Sequence, residues 1–345
     1  DSRPDLAARY EDYGWPATII FTPDGKEIVK KSGYITPVAM AELLRKVAKD
    51  PSPLPDEDLK HPEVLNPALS EELKKKFEAD IQDRYDQKQG SWDVSHKFID
   101  ANFAELYLNK SLYGDKKAAK WLKQTLDNNL KIHDPVWGGV YQYSTGGVWN
   151  EAHFEKIMSI QADNIRIYAQ AGLVFKNKKY LEAAKKTANY INEFLTSPEG
   201  GFYTSQDADL VQGQHSESFF KLGDKARRKQ GIPRVDKNRY ARENGWMIQA
   251  LAALYAATGE KVYLERAEKA AKWIQENRSL HGGGFRHAEK DLAGPYLSDT
   301  STMGSAFLRL YLVTGNRAYY SASVEAAKFI DQNFKNAKAG FDAAV

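Results

Sequence analysis

Two short blocks concentrate residue types that move protons. In Trp149-Asn150-Glu151-Ala152-His153-Phe154-Glu155-Lys156, a histidine stands close to carboxylates. A neutral imidazole beside a carboxylate suits a general base near pH 7, and a capping or packing histidine is the alternative. His153 and Glu155 are too close in sequence to share a helix face, which argues against a His–Glu metal pair. In Gln206-Asp207-Ala208-Asp209, two acids at i and i+2 suit a general acid and base, hydroxyl binding, a calcium site or turn capping. His281 and His287 flank Gly282-Gly283-Gly284 and read as exposed loop residues. No nucleotide loop, zinc spacing or nucleophile elbow is present, so neither a metal nor a cofactor is expected. The chain has no cysteine, which excludes thiolate catalysis and disulfides within it.

These blocks sit in a repeat. Each unit is an apolar helix ending in Tyr-x-x-x-Gly, a second helix, and a Gly-Gly-aromatic loop. The Tyr–Gly pairs are Tyr168/Gly172, Tyr255/Gly259 and Tyr311/Gly315. The loops begin at Gly138, Gly200, Gly283 and Gly340, and the longest interval holds a polar stretch, about 210–235, that reads as an inserted loop. Met247, Ala250, Leu251, Leu254 and Tyr255 lie on one helical face, matched 56 residues later by Met303 through Tyr311. Shifted back by 87, the same face reads Ile160, Asp163, Asn164, Ile167 and Tyr168, so polar residues stand where the other units are mostly apolar. Four helix pairs fit between residues 90 and 335. Helix pairs that bury a shared face stack into a superhelix or close into a ring, and an α/α toroid is the expectation.

The loops lead into the N-termini of the inner helices, which suit anionic or carbonyl-bearing ligands. One repeat position holds Trp92, His153, Tyr240 and Tyr296. Three residues on stand Ser95, Lys156, Glu243 and Asp299, one helical turn away. In a ring these converge on one mouth, where aromatics stack on pyranose faces while His or carboxylates move protons. The candidate catalytic residues are therefore His153, Glu155, Asp207, Asp209, Glu243 and Asp299. The candidate substrate-binding residues are Trp92, Tyr141, Tyr203, Tyr240, Asn244, Trp246 and Tyr296.

The totals agree with a large helical core. The 345 residues carry 7 Trp, 19 Tyr and 15 Phe, and a net charge of +3 from interspersed charges. That balance argues against nucleic acid as a partner, and no apolar run approaches a membrane span. The compartment stays open. Residues 5–13 read as a helix ending at Gly14, Trp15–Phe21 and Glu27–Val29 as strands, and Pro37–Ala48 as a helix. A lone hairpin is marginal in water, so these strands want partners. This order, with Pro16 before a strand, resembles the C-terminal half of an α/β thioredoxin-like domain over residues 1–49, which implies a cis-proline at Pro16 and redox cysteines upstream. A small β-hairpin cap on the helical domain is the alternative. Residues 50–69, rich in proline, read as a linker, and 70–345 as the toroid, with both ends unfinished.

Gly138–Ser144, His153–Lys156, Gly200–Asp209, and Asp236-Lys237 through Asn244-Gly245 together resemble thioredoxin-domain proteins related to the spermatogenesis-associated thioredoxin-like family. That resemblance spans nearly the whole chain. It implies a mainly α fold: a toroid of the six-hairpin type, akin to glycosidases and N-acylglucosamine 2-epimerases, behind a thioredoxin-like domain. Three functions stay open: a carbohydrate-active toroid of isomerase or hydrolase type with a saccharide or other small-molecule ligand, a redox or protein-handling module with a protein client, and a non-catalytic assembly protein.

Overall fold

The computed structural model describes residues 2–14, 16–54, 70–214, 216–337 and 340–345. The expected start of the first strand at Trp15, the cis bond between Trp15 and Pro16, and most of the expected linker (55–69) lie outside the described residues. The chain divides into two compact units, one essentially residues 3–74 and the other 75–345.

In the first unit, α1 (Pro4–Arg9) has proline at its start, where its missing N–H costs nothing. The expected helix over 5–13 breaks at Tyr10 into a separate single turn, Glu11–Tyr13. β1 (Ala17–Phe21) pairs antiparallel with β2 (Glu27–Ser32), with an irregularity between Ile20 and Phe21. Glu27 ties this hairpin to the helix before it, accepting from Tyr10 Oη at 2.6 Å and pairing with Arg9 and Lys30. α2 (Pro37–Lys49) starts at an N-cap, Thr36, whose side chain accepts from Ala39 N. α3 (Glu71–Asp83) follows the undescribed segment and falls mostly within the second unit, which begins at Lys75.

The second unit is built of four helix hairpins. They are α4 (Ala101–Leu112) with α5 (Lys116–Asn129), and α6 (Met158–Val174) with α7 (Lys178–Phe194). Three two-residue strands, β3 (Tyr143–Ser144), β4 (Ala152–His153) and β5 (Lys156–Ile157), precede α6. After two more, β6 (Ser205–Gln206) and β7 (Val235–Asp236), and two short helices come α10 (Ala241–Thr258) with α11 (Lys261–Arg278), and α12 (Leu297–Thr314) with α13 (Arg317–Asn333). The first helices of the pairs pack side by side in the order α4, α6, α10, α12. Those inner helices are apolar on most of their circumference: Met247, Ile248, Leu251 and Leu254 of α10 are fully buried. The outer helices bury one stripe each, such as Tyr180, Ala184, Ala188 and Ile191 of α7.

Every outer helix ends in the same turn. His133, Thr196, Ser279 and Lys335 each form an antiparallel bridge to Val140, Phe202, Phe285 and Phe341. The glycines have a packing reason: Gly139 has φ +76°, and a Cβ there would stand 2.6 Å from the Tyr190 ring. An inner-helix side chain then clamps the backbone of the loop residue. Gln161 bonds Val140 N and O at 2.8 and 2.7 Å. Asn244 bonds Phe202 N and O at 2.7 and 3.1 Å. Thr300 accepts from Phe285 N at 3.1 Å.

Those clamps correct the repeat register. Gln161 and Asn244 are 83 residues apart, not 87, so α6 is displaced by one turn. The reason lies at its far end. Gly259 and Gly315 cap α10 and α12 in the left-handed conformation, each N–H on the preceding Tyr carbonyl at 2.7 Å. Gly172 caps nothing: α6 runs on to Val174, and Gly172 instead lets Leu181 of α7 pack against the backbone.

The polar stretch at 210–235 is not a plain loop. It forms α8 (Glu217–Phe220) and α9 (Asp224–Gln230). Phe219 and Phe220 are buried, with Phe220 stacked on Phe154 at 4.5 Å.

Candidate functional site

The inner helices line an open cavity of about 620 Å³. Each helix contributes residues at helical spacing along one face: Asn102 and Glu105 from α4, Asp163 and Arg166 from α6, Trp246 and Gln249 from α10, and Thr302, Ser305 and Arg309 from α12. Asp100, ahead of α4, completes the charged wall. Apart from Arg309, the lining lies toward the N-terminal halves of all four helices, near the end that carries their partial positive charge.

Arg166 organises two carboxylates. Its Nη1 donates to Glu105 Oε1, and its Nη2 donates to Asp163 Oδ1 at 3.0 Å. Asp163 keeps 38% of its side-chain surface open and Arg166 only 17%. Burial raises the Asp163 pKa above the ordinary carboxylate value, and the Arg166 charge offsets only part of that. Burial works against the Arg166 charge, but Asp163 and Glu105 more than compensate, and its pKa is raised. An acid with a raised pKa, a second carboxylate, an indole and several neutral hydroxyl or amide groups thus share one cavity.

Trp246 is held from behind. The Arg242 guanidinium lies 4.9 Å from its ring centroid. Glu243 Oε1 accepts from Arg242 Nη2 at 2.6 Å, and Asp299 Oδ1 accepts from Arg242 N at 2.8 Å. Asp299 is fully buried and also bonds His287 Nδ1 at 2.8 Å. The imidazole stacks on Tyr240 at 4.0 Å and meets Tyr296 edge-on. His287 is therefore no exposed loop residue; the Asp299 carboxylate and the two tyrosines bury it completely.

Of the candidates read from the sequence, Trp246 alone lines this cavity. Glu243, Asp299, Tyr240 and Tyr296 form the buried layer just described. Asn244 is the loop clamp. Trp92 is buried between Tyr85, Phe103 and Tyr107. Tyr141 is buried against Phe154 and Phe220. Tyr203 is half-buried, its N–H on Leu195 O at 2.9 Å.

His153 and Lys156 do not stand on a helix. They lie in β4 (Ala152–His153) and β5 (Lys156–Ile157), because α6 starts a turn later than the Tyr–Gly spacing implies. His153 is exposed, stacks on Tyr143 at 5.1 Å and reaches Glu155 at 3.7 Å. Asp207 and Asp209 serve their own loop. Asp207 Oδ1 accepts from Asp209 N at 3.1 Å, and Asp209 Oδ2 from Gly213 N at 3.0 Å.

Lys156 sits in a second buried constellation. Its Nζ donates to Asp134 Oδ2 and Gly138 O, both at 2.8 Å, and lies 4.1 Å from the Tyr190 ring centroid. Arg227 of α9 bonds the same Asp134 oxygen at 2.7 Å. Burial lowers the Lys156 pKa to about 8, although Asp134 pulls it back up. Among the described residues no group of His, Asp and Glu could hold a metal ion. No helix there is long and apolar enough to cross a membrane.

No protein-family model matches the chain. An uncharacterised protein, B0495.5 of Caenorhabditis elegans, is 21% identical over 99% of the chain and 64% of its own length. Spermatogenesis-associated protein 20 of Mus musculus is 31% identical over 41% of the chain and 19% of its own length. The chain thus spans less than two thirds of the length of these relatives. A solved D-mannose isomerase aligns with TM-score 0.61 and 14% identity over 78% of this chain and 72% of that one. A family 76 α-mannanase of Bacteroides thetaiotaomicron aligns with TM-score 0.53 and 14% identity over 71% and 60%. The fold is mainly α, of the six-hairpin α/α toroid type.

Proposed function

We propose that the second unit binds and transforms a saccharide in the inner-helix cavity. The observation that carries this reading is one cavity holding Trp246 together with the Glu105–Arg166–Asp163 triad. An indole offers a flat apolar face to a pyranose. Asn102, Gln249, Ser301, Thr302 and Ser305 can exchange hydrogen bonds with hydroxyls. In this reading Asp163, with its raised pKa, donates a proton to a sugar oxygen, and Glu105 accepts one. Glu243 and Asp299 act as positioning residues: they fix Arg242, which backs Trp246. The toroid fold shared with an isomerase and a mannanase supports a sugar ligand and does not choose between isomerisation and hydrolysis.

For the first unit, the helix–strand–strand–helix order supports reading residues 1–49 as the C-terminal half of a thioredoxin-like domain.

The test is a screen of aldoses, N-acyl hexosamines and oligosaccharides for binding and turnover. Reducing-end release reads hydrolysis, and solvent deuterium entering the sugar reads isomerisation. Trp246→Ala is expected to weaken binding by roughly 5- to 150-fold, stacking on a base being worth ~1–3 kcal/mol in comparable aromatic sites. Absence of any saccharide binding by the intact chain sinks the proposal.

A further inference from the structure

The charges on the cavity wall do not balance against one another. Asp100 is engaged at the start of α4, where Oδ1 accepts from Asn102 N and Phe103 N at 3.0 and 3.1 Å. Glu105 and Asp163 are both held by Arg166. Arg309 is different. It lines the cavity from α12, is half-buried, and has no ion pair or hydrogen bond among the described residues. A half-buried guanidinium without a carboxylate forgoes the bidentate pairing that its fork geometry favours.

Resting on the saccharide reading of the same cavity, we propose that the ligand carries a carboxylate, as in a hexuronic acid, and that Arg309 binds it. A carboxylate matches one guanidinium in a planar, two-bond pairing. A phosphate ester fits less well. It brings nearly two charges, Arg166 is already held by the Glu105 and Asp163 side chains, and Asp100 and Glu105 repel a dianion. The remaining geometry suits the rest of the sugar. Ser305 stands one turn before Arg309, Thr302 two turns before, and Trp246 and Gln249 face them from α10. The ring would lie on the indole with its carboxylate toward α12, leaving the anomeric end for the Glu105–Asp163 pair.

Calorimetric titration of the intact chain with methyl β-D-glucuronide, methyl β-D-glucoside and glucose 6-phosphate tests this. The glucuronide is expected to bind at least about tenfold more tightly than the glucoside, a charged hydrogen bond being roughly twice as strong as a neutral one. Arg309→Gln should bring the two within about threefold by weakening the glucuronide alone. Arg309→Lys should keep part of the preference and shows that the position, not the fold, was altered. Equal affinity for glucuronide and glucoside overturns the inference while leaving the saccharide cavity standing. So does a preference that survives Arg309→Gln, or tighter binding of the phosphate ester. No binding of any of the three, nor of any sugar in the wider screen, overturns both.

Discussion

At the scale of single residues, ionisation separates the two buried constellations. Asp163 lines a cavity, and burial raises its pKa. A carboxyl with a raised folded pKa keeps its proton to higher pH, so an acid role is fully available below that pKa and lost as pH rises through it. The basic limb of the kcat/KM profile should therefore belong to Asp163. Asp163→Asn should lower kcat by ~100- to 10,000-fold and remove that limb, as loss of a general acid does; a wild-type profile in the variant would refute the assignment. Asp134, Lys156 and Arg227 are instead fully enclosed. Asp134→Ala strands two buried cations and should cost about 3–5 kcal/mol in chemical denaturation. Lys156→Met leaves Asp134 on Arg227 and should cost less. The sign of its pH dependence is fixed. With a folded pKa near 8 against an ordinary 10.5, the unfolded chain binds the Lys156 proton more tightly. Wild-type stability relative to Lys156→Met should then rise, not fall, as pH goes from about 8 toward 10.

At the scale of elements, the repeat does the positioning. Gln161, Asn244 and Thr300 each hold the loop that follows an outer helix, so loop and inner helix are fixed together. Asn244→Ala would leave Phe202 N and O buried without partners, and each stranded group costs about 1–3 kcal/mol. Denaturation midpoints should fall accordingly, more than for Thr300→Ala, which strands only Phe285 N. The helix pairs and Gly-Gly turns were legible in the sequence because glycine and apolar periodicity are local signals. Register was less so. The Tyr168/Gly172 pair mimics the capping pairs of α10 and α12, yet Gly172 is a packing glycine, and the error of one turn moved the expected rim onto β4 and β5. The cavity had a signal too. Asp163 breaks the apolar inner face of α6, and a carboxylate on such a face points at something polar. Arg166, three residues on, and Glu105 on another helix complete the triad only in three dimensions. His287 read as exposed because its partner Asp299 is twelve residues away across a loop.

At the scale of the molecule, the charge-bearing cavity and the buried layer behind Trp246 belong wholly to the second unit. Every residue from Phe98 to Arg309 that lines the cavity lies in residues 75–345, as do Arg242, Glu243, His287 and Asp299. The contacts that hold these helices come from the hairpins next to them, and repeat assemblies draw stability from nearest-neighbour interfaces. Residues 75–345 produced alone should therefore keep the helical circular dichroism expected of four hairpins. They should also bind the glucuronide with an affinity within about threefold of the intact chain. A fragment that folds but loses binding would show that the first unit shapes the ligand site, and a fragment that does not fold would show that the hairpins depend on it for stability. Retained binding, abolished by Trp246→Ala within the same fragment, would locate saccharide recognition on the inner helices of the toroid alone.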